Sequence, residues 1–313
     1  MRKLIAATVF ASILAAAPLP AQGDVAPFVV EQSGEGFDTL AEAVGAIAGG
    51  TGTILIAPGT YRQCAVQDVG RIAYVARQPG SVTFDGVACE GKAALVLGGS
   101  GARVEGIIFQ NIRVADENGA GIRLEHGDLE VRETLFRNGE NGILVANDHD
   151  GAIRIEQSTF SGLGQCPENA GCSHSIYNSG SGTLSVSRVR FERGTGGHYL
   201  KSRGARIEVV DSSFDDSQGR ATNYMIDLSD GARGTIARNI FVQGADKENY
   251  SALISVAPEE NGNRSAGLTI TENEARIAPG VDRRTAFVAD SSGEALTLSN
   301  NRLGPGITEL ERR

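Results

Sequence analysis

Tryptophan is absent from this 313-residue chain, methionine occurs twice, and all aromatic residues together make up 5%. Few large residues are available to the core, so much of its apolar filling has to come from aliphatic side chains of moderate size. Beyond the N-terminal segment no apolar run reaches the length of a spanning helix, so no membrane span is expected. Positive charge is also short: 29 basic residues face 38 acidic ones, a formal net charge of −9. An acidic body argues against nucleic acid as a partner, and any polyanion would need a local basic patch. Histidine and cysteine number four each. The cysteine spacing matches no zinc pattern. What the chain has in abundance is glycine, 41 residues, as a structure with many tight turns requires.

The stretch His174 to Gln243 holds three copies of one pattern. Each opens on an aliphatic residue (Ile176, Leu200, Ile226), continues through Leu184 with Val186, Ile207 with Val209, or Ile236 opposite Gly234, and closes on Phe191, Phe214 or Phe241. The phenylalanine falls five residues after the last apolar position in every copy. The register extends upstream through Phe160, Phe136 and Phe109, and downstream through Ala275 and Leu303. That makes eight repeats of roughly 23–33 residues, a period that signals a solenoid because one unit cannot bury its own apolar face. Alternating Val, Ile and Thr between Gly, Asn, Asp and Ser make the units strands. Two residues before the phenylalanine position stand Thr134, Ser158, Ser212, Asn239, Asn273 and Asn301, a column that reads as stacked turn residues at one corner. The expected fold is all-β, a right-handed parallel β-helix of about eight or more coils.

Around this body, Met1-Arg2-Lys3 followed by an apolar run and Leu19-Pro20-Ala21 reads as a secretory signal peptide over residues 1–21. Residues 22–60 read as an N-terminal cap, in which Thr39 and Glu42 form a capping box and Leu40, Val44 and Ile47 share one helical face. The β-helix is assigned to residues 61–304, and residues 305–313 read as a frayed or weakly helical tail. One domain and a monomer are expected, exported to the periplasm or outside the cell. An even cysteine count in an exported chain suggests two disulfides. Four cysteines allow three pairings, and the spacing favours Cys64 with Cys89, one rung apart, and Cys166 with Cys172, closing a short loop.

If Ile176, Leu200 and Ile226 point inward, Tyr177, Lys201 and Asp227 form an outward column on successive rungs about 4.8 Å apart. Ser179, Arg203 and Ser229 follow two positions on, and His174, His198 and Tyr224 sit at the turn entering the same strands. The plain alternative is a Lys201–Asp227 pair on a solvated sheet with turn histidines beside it.

The segment Gly36 to Tyr61, a helix and a strand ending in Pro58-Gly59-Thr60-Tyr61, resembles the start of many pectin-lyase-like proteins, and the resemblance covers essentially the whole mature chain. It implies a polysaccharide bound along the outside of one sheet, in many members a uronate chain cleaved by β-elimination. That chemistry needs a charge to neutralise the uronate carboxylate, a base for the C5 proton and an acid for the leaving oxygen. Arg203 suits the first role, Lys201 the second, and Tyr177, His174 or His198 the acid or an alternative base, with Tyr224 and Asp227 contacting substrate. Hydrolysis wants two carboxylates flanking the bond, and only Asp227 lies in the column. Calcium is a possible cofactor by resemblance, although no acidic ligand cluster stands out. Asn147-Asp148-His149-Asp150 looks like the D-P-H-D motif of alginate C5-epimerases with two of four positions changed, and a plain turn is the competing reading. A carbohydrate-binding solenoid without turnover is the remaining alternative.

Overall fold

The structure, a computed structural model, describes residues 26–168, 171–180 and 182–313. The expected signal peptide lies outside the described residues. Three sheets, of twelve, ten and ten strands, wind around one core, and each strand pairs with the equivalent strand of the next coil. All pairings are parallel except where Phe28–Val30 runs antiparallel to Glu35–Phe37 and to Thr51–Ile56 at the N-terminal end. The chain is a parallel β-helix, as its period predicts.

The phenylalanine register is the spine of the core. Phe84, Phe109, Phe136, Phe160, Phe191, Phe214 and Phe241 stack face over face with centroids 4.6–5.8 Å apart. Tyr61 and Phe28 continue the column upstream, so it runs further than the sequence pattern shows. Offset aromatic stacking at this spacing adds to the gain from area burial alone.

Each coil bends sharply on either side of this phenylalanine. Three residues before it the backbone turns through a left-handed conformation at Glu133, Gln157, Arg188, Asp211 and Arg238, with φ between 47° and 56°. The very next residue, a member of the polar column, repairs the backbone bonding that the bend interrupts. Asn273 shows the arrangement: its Oδ1 accepts from Asn239 N–H at 3.0 Å, and its Nδ2 donates to the Ile236 carbonyl at 3.0 Å. Asn239 and Asn301 repeat it on the neighbouring coils, and Ser158 and Ser212 accept backbone N–H groups through their hydroxyls.

The capping helix covers Leu40–Ile47, with the Thr39/Glu42 box formed and Leu40, Ala43 and Val44 buried against the first coil. Both expected disulfides are present, Cys64–Cys89 and Cys166–Cys172. The C-terminal segment departs from expectation. Instead of fraying, Ile307–Arg312 adds a final parallel strand on Thr285–Asp290, because that strand would otherwise leave its backbone edge open.

Removing one ring from the spine should leave a cavity between two rungs. Phe160→Ala is expected to lower the unfolding free energy by about 3–5 kcal/mol, read from the denaturant midpoint. Ile240→Ser, at a side chain 46% exposed one position before Phe241, should change it little.

Candidate functional site

The register aligns the expected column: Leu144, Tyr177, Lys201, Asp227 and Ser255 are paired on five successive rungs of the third sheet. Their neighbours Ile176, Leu200 and Ile226 face the core and are fully buried. The column points away from the core but is not solvated. Lys201 is 9% exposed and Asp227 1%, which corrects both the open face expected and the plain reading of a solvated ion pair. The cover is the 257–266 loop, which follows the Ala252–Val256 strand and lays Glu259 over the column.

Glu259 is the residue that sequence reasoning missed. Its Oε1 binds Lys201 Nζ and its Oε2 binds Arg203 Nη2, so one carboxylate bridges both cations. Lys201 Nζ also stands 3.5 Å from Asp227 Oδ2 and 5.6 Å from the Tyr177 ring centroid. Arg203 donates from Nε to the Tyr177 hydroxyl at 3.2 Å and from Nη1 to Asp230 Oδ1 at 2.5 Å. Glu259 lies 58 residues from Lys201 inside an insertion without periodicity. The signals for it were the polar insertion 257–266 at a turn beside the same face and the acidic pair Glu259-Glu260 within it.

At the turn entering these strands the three rings form a stack. His174 lies over His198 at 5.0 Å and His198 over Tyr224 at 5.6 Å, while Tyr177 meets His174 edge-on at 5.2 Å. The backbone N–H of His198 donates to His174 Nδ1 at 3.0 Å, which places the His174 ring proton on Nε2 in its neutral form. His198 Nε2 is 3.6 Å from Asp227 Oδ2. The seven singled-out residues therefore form one continuous cluster. Tyr224 is at its margin, 3.4 Å from Ser251 Oγ and from Arg313 Nη1.

Burial sets the protonation of this cluster. Desolvation, with the charge of Lys201 beside it, lowers His198 to about 3 and holds His174 well below the usual histidine range. Asp227 is raised by burial, which Lys201 and the Ser229 hydroxyl, donating at 2.8 Å, only partly offset. Burial works against ionised Glu259, but hydrogen bonds and charge from Lys201 and Arg203 outweigh it and lower the carboxyl. Asp230 is raised by burial despite Arg203. Asp227 Oδ1 and His198 Nδ1 are buried without a hydrogen-bond partner among the described residues. Calcium does not fit here: among the described residues no three His, Cys, Asp or Glu converge on one point, and the cluster's carboxylates are each engaged by Lys201 or Arg203.

One further expectation is located by the structure. His149 is buried with Nε2 2.7 Å from the Gly127 carbonyl oxygen, so the Asn147–Asp150 segment is a turn whose histidine braces the preceding coil. Asp216 is buried and paired with Lys247 at 3.1 Å, and it also accepts from Tyr199 OH, Thr222 Oγ1 and Gly244 N–H. With every lone pair engaged, this buried pair is a structural knot between turns. A groove of about 580 Å³ lies on the outer face of the first sheet, lined by Arg71, Arg103, Glu130 and Arg154 among others, and not over the cluster.

Comparison with known proteins agrees with this architecture. A family model described as "Right handed beta helix region" matches residues 93–303. The chain belongs to the right-handed β-helix family. No curated protein matches its sequence. Among solved structures it is similar to a tailspike protein mutant, E372A, of E. coli bacteriophage HK620 in complex with pentasaccharide, at 12% identity and a TM-score of 0.35. That match covers 90% of this chain and 63% of the tailspike chain, and a likeness so slight adds nothing to the fold already described. Among the described residues no helix is long and apolar enough to cross a membrane.

The buried neutral histidines predict a pH dependence of stability with a defined sign. His198 titrates near 6.5 when unfolded and about 3 when folded, so between those values the unfolded chain binds more protons and stability falls as pH falls. His174 acts in the same direction, and Asp227, whose folded value is raised, acts in the opposite one. In urea unfolding, the loss of stability from about pH 6.5 towards pH 4 should be shallower in His198→Gln than in the parent. Parallel profiles would mean that His198 is not held neutral.

Proposed function

We propose that the Lys201–Arg203 face binds a uronate-containing glycan and cleaves it by β-elimination. The observation that carries this reading is the bridged carboxylate: Lys201 and Arg203 each hold one oxygen of Glu259. Two cations converging on a single carboxylate are what recognition of a uronate carboxylate requires. In this reading Glu259 stands where the substrate's carboxylate goes, and displacement of the 257–266 loop exchanges one carboxylate for the other.

The chemistry follows from the neighbours. Arg203 holds the carboxylate, and its neutralisation acidifies the adjacent C5 proton. Lys201 Nζ takes that proton. The electron pair forms the C4–C5 double bond, the C4–O bond breaks, and Tyr177, hydrogen-bonded to Arg203, donates a proton to the leaving oxygen.

A second reading has its own support. Asp227 and Asp230 are raised while Glu259 is lowered, and carboxylates pushed apart in this way are the acid and base of glycoside hydrolysis.

Incubation of the protein with a panel of uronate polysaccharides separates the two. Elimination gives ultraviolet-absorbing unsaturated ends, and Lys201→Ala should reduce their formation by roughly 100-fold or more. Glu259→Ala should tighten binding of uronate oligosaccharides by removing the competing carboxylate. New reducing ends without absorbance would move the assignment to hydrolysis, C5 proton exchange without cleavage to epimerisation, and binding without any of these to a non-catalytic glycan binder.

A further inference from the structure

A second basic feature lies at the other end of the turns that carry the ring stack. Arg113, Arg193 and Arg220 line a polar bowl of about 540 Å³ together with Asn138, Gln165 and Gln218. No Asp or Glu is among its lining residues, although acidic residues outnumber basic ones in the chain. Arg113 donates to Gln165 Oε1 at 3.0 Å and lies 4.0 Å from Glu140. Glu140 itself is buried and accepts from the Val114 and Gly119 N–H groups at 3.2 and 2.6 Å. Among the described residues the Arg193 and Arg220 guanidiniums have no side-chain partner. Like charges gather on one surface against their mutual repulsion, and three guanidinium forks around a polar hollow form a local positive field in an otherwise acidic molecule.

The backbone beneath is hydrogen-bonded from coil to coil. Thr195 N–H donates to the Leu163 carbonyl at 2.8 Å, Arg220 N–H to Gly194 at 2.8 Å, and the Thr195 hydroxyl to Gly164 at 2.6 Å. Arg193 also occupies an unfavourable place. Two residues past the phenylalanine the chain turns left-handed at Gly86, Asn111, Asn138, Gly162 and Arg193. Glycine and asparagine tolerate that conformation, whereas a long side chain adopts it at a cost. At this corner arginine stands where the sister coils have glycine or asparagine, and it adds one charge to the bowl.

We propose that this bowl is a second anion subsite, which takes carboxylate or sulfate groups of an acidic glycan whose chain also reaches the Lys201–Arg203 face. The two sites are joined by the same turns: Thr195 precedes His198 by three residues, and Gln165 accepts from Ser173, next to His174, at 2.8 Å. The identity of the ligand as an acidic glycan rests on the proposed function; the oxyanion chemistry of the bowl does not.

The test is calorimetric titration of the full protein with long polygalacturonate oligosaccharides, dextran sulfate and uncharged dextran. The variants are Arg193→Asn with Arg220→Gln, and Lys201→Ala. The double variant is expected to bind polygalacturonate or dextran sulfate at least tenfold more weakly, with a reduced salt dependence, and to unfold at no lower denaturant concentration than the parent. Uncharged dextran should not bind. Equal affinity in the double variant, or no binding of either polyanion to the parent, overturns the subsite. Loss of binding in the double variant without unsaturated product from any uronate keeps the bowl and removes the elimination reading. Product formation abolished by Lys201→Ala, with long-chain affinity untouched by the double variant, does the reverse.

Discussion

Everything in this molecule depends on one constraint: a single coil of about two dozen residues cannot bury its own apolar face and must lie in register on the next. Register then does more than build a core. Once Phe160 stacks on Phe136 and Phe191, every other position of the coil is held about 4.8 Å from its equivalent above and below. A residue type repeated at one position becomes a column. The asparagines at 239, 273 and 301 become a hydrogen-bonded ladder, and the singular residues Tyr177, Lys201 and Asp227 become neighbours although more than twenty residues separate each pair.

Columns alone do not make a site. On a flat solvated sheet, Lys201 and Asp227 would form a weak cross-strand pair. The 257–266 loop changes their physics by removing water. Under it, Lys201 is satisfied by Glu259 and Asp227, Arg203 by Glu259, Asp230 and Tyr177, and the histidines are driven to their neutral forms. Such a cluster is costly to bury unless its charges are matched, and the matching carboxylate comes from the loop that does the burying. Desolvation and neutralisation are thus supplied by the same segment, through Glu259.

Much of the fold was legible because it is repetitive. The spacing from Val186 to Phe191, repeated from Val209 to Phe214 and from Ile236 to Phe241, identifies the coils; the Thr39/Glu42 pair identifies the cap; the cysteine spacing points to both bridges. The corner before each phenylalanine was legible from its polar column, but its left-handed conformation was not, since Glu133, Gln157, Arg188, Asp211 and Arg238 share no chemistry that marks one. Their conformation is imposed by the coils on either side. The final strand Ile307–Arg312 was missed for a related reason: its alternation is weak, and an open edge on Thr285–Asp290 recruits it.

Local spacing by itself determined the period, the inward and outward faces of each strand and hence the membership of the Tyr177–Lys201–Asp227 column, because side-chain direction alternates with chain position and needs no distant information. Tertiary structure alone decided what covers that column, which carboxylates its cations meet, and that Arg113, Arg193 and Arg220 share a bowl. These depend on where turns of unequal length come to rest. A turn obeys no period, so its partners are chosen by the stacked coils that carry it.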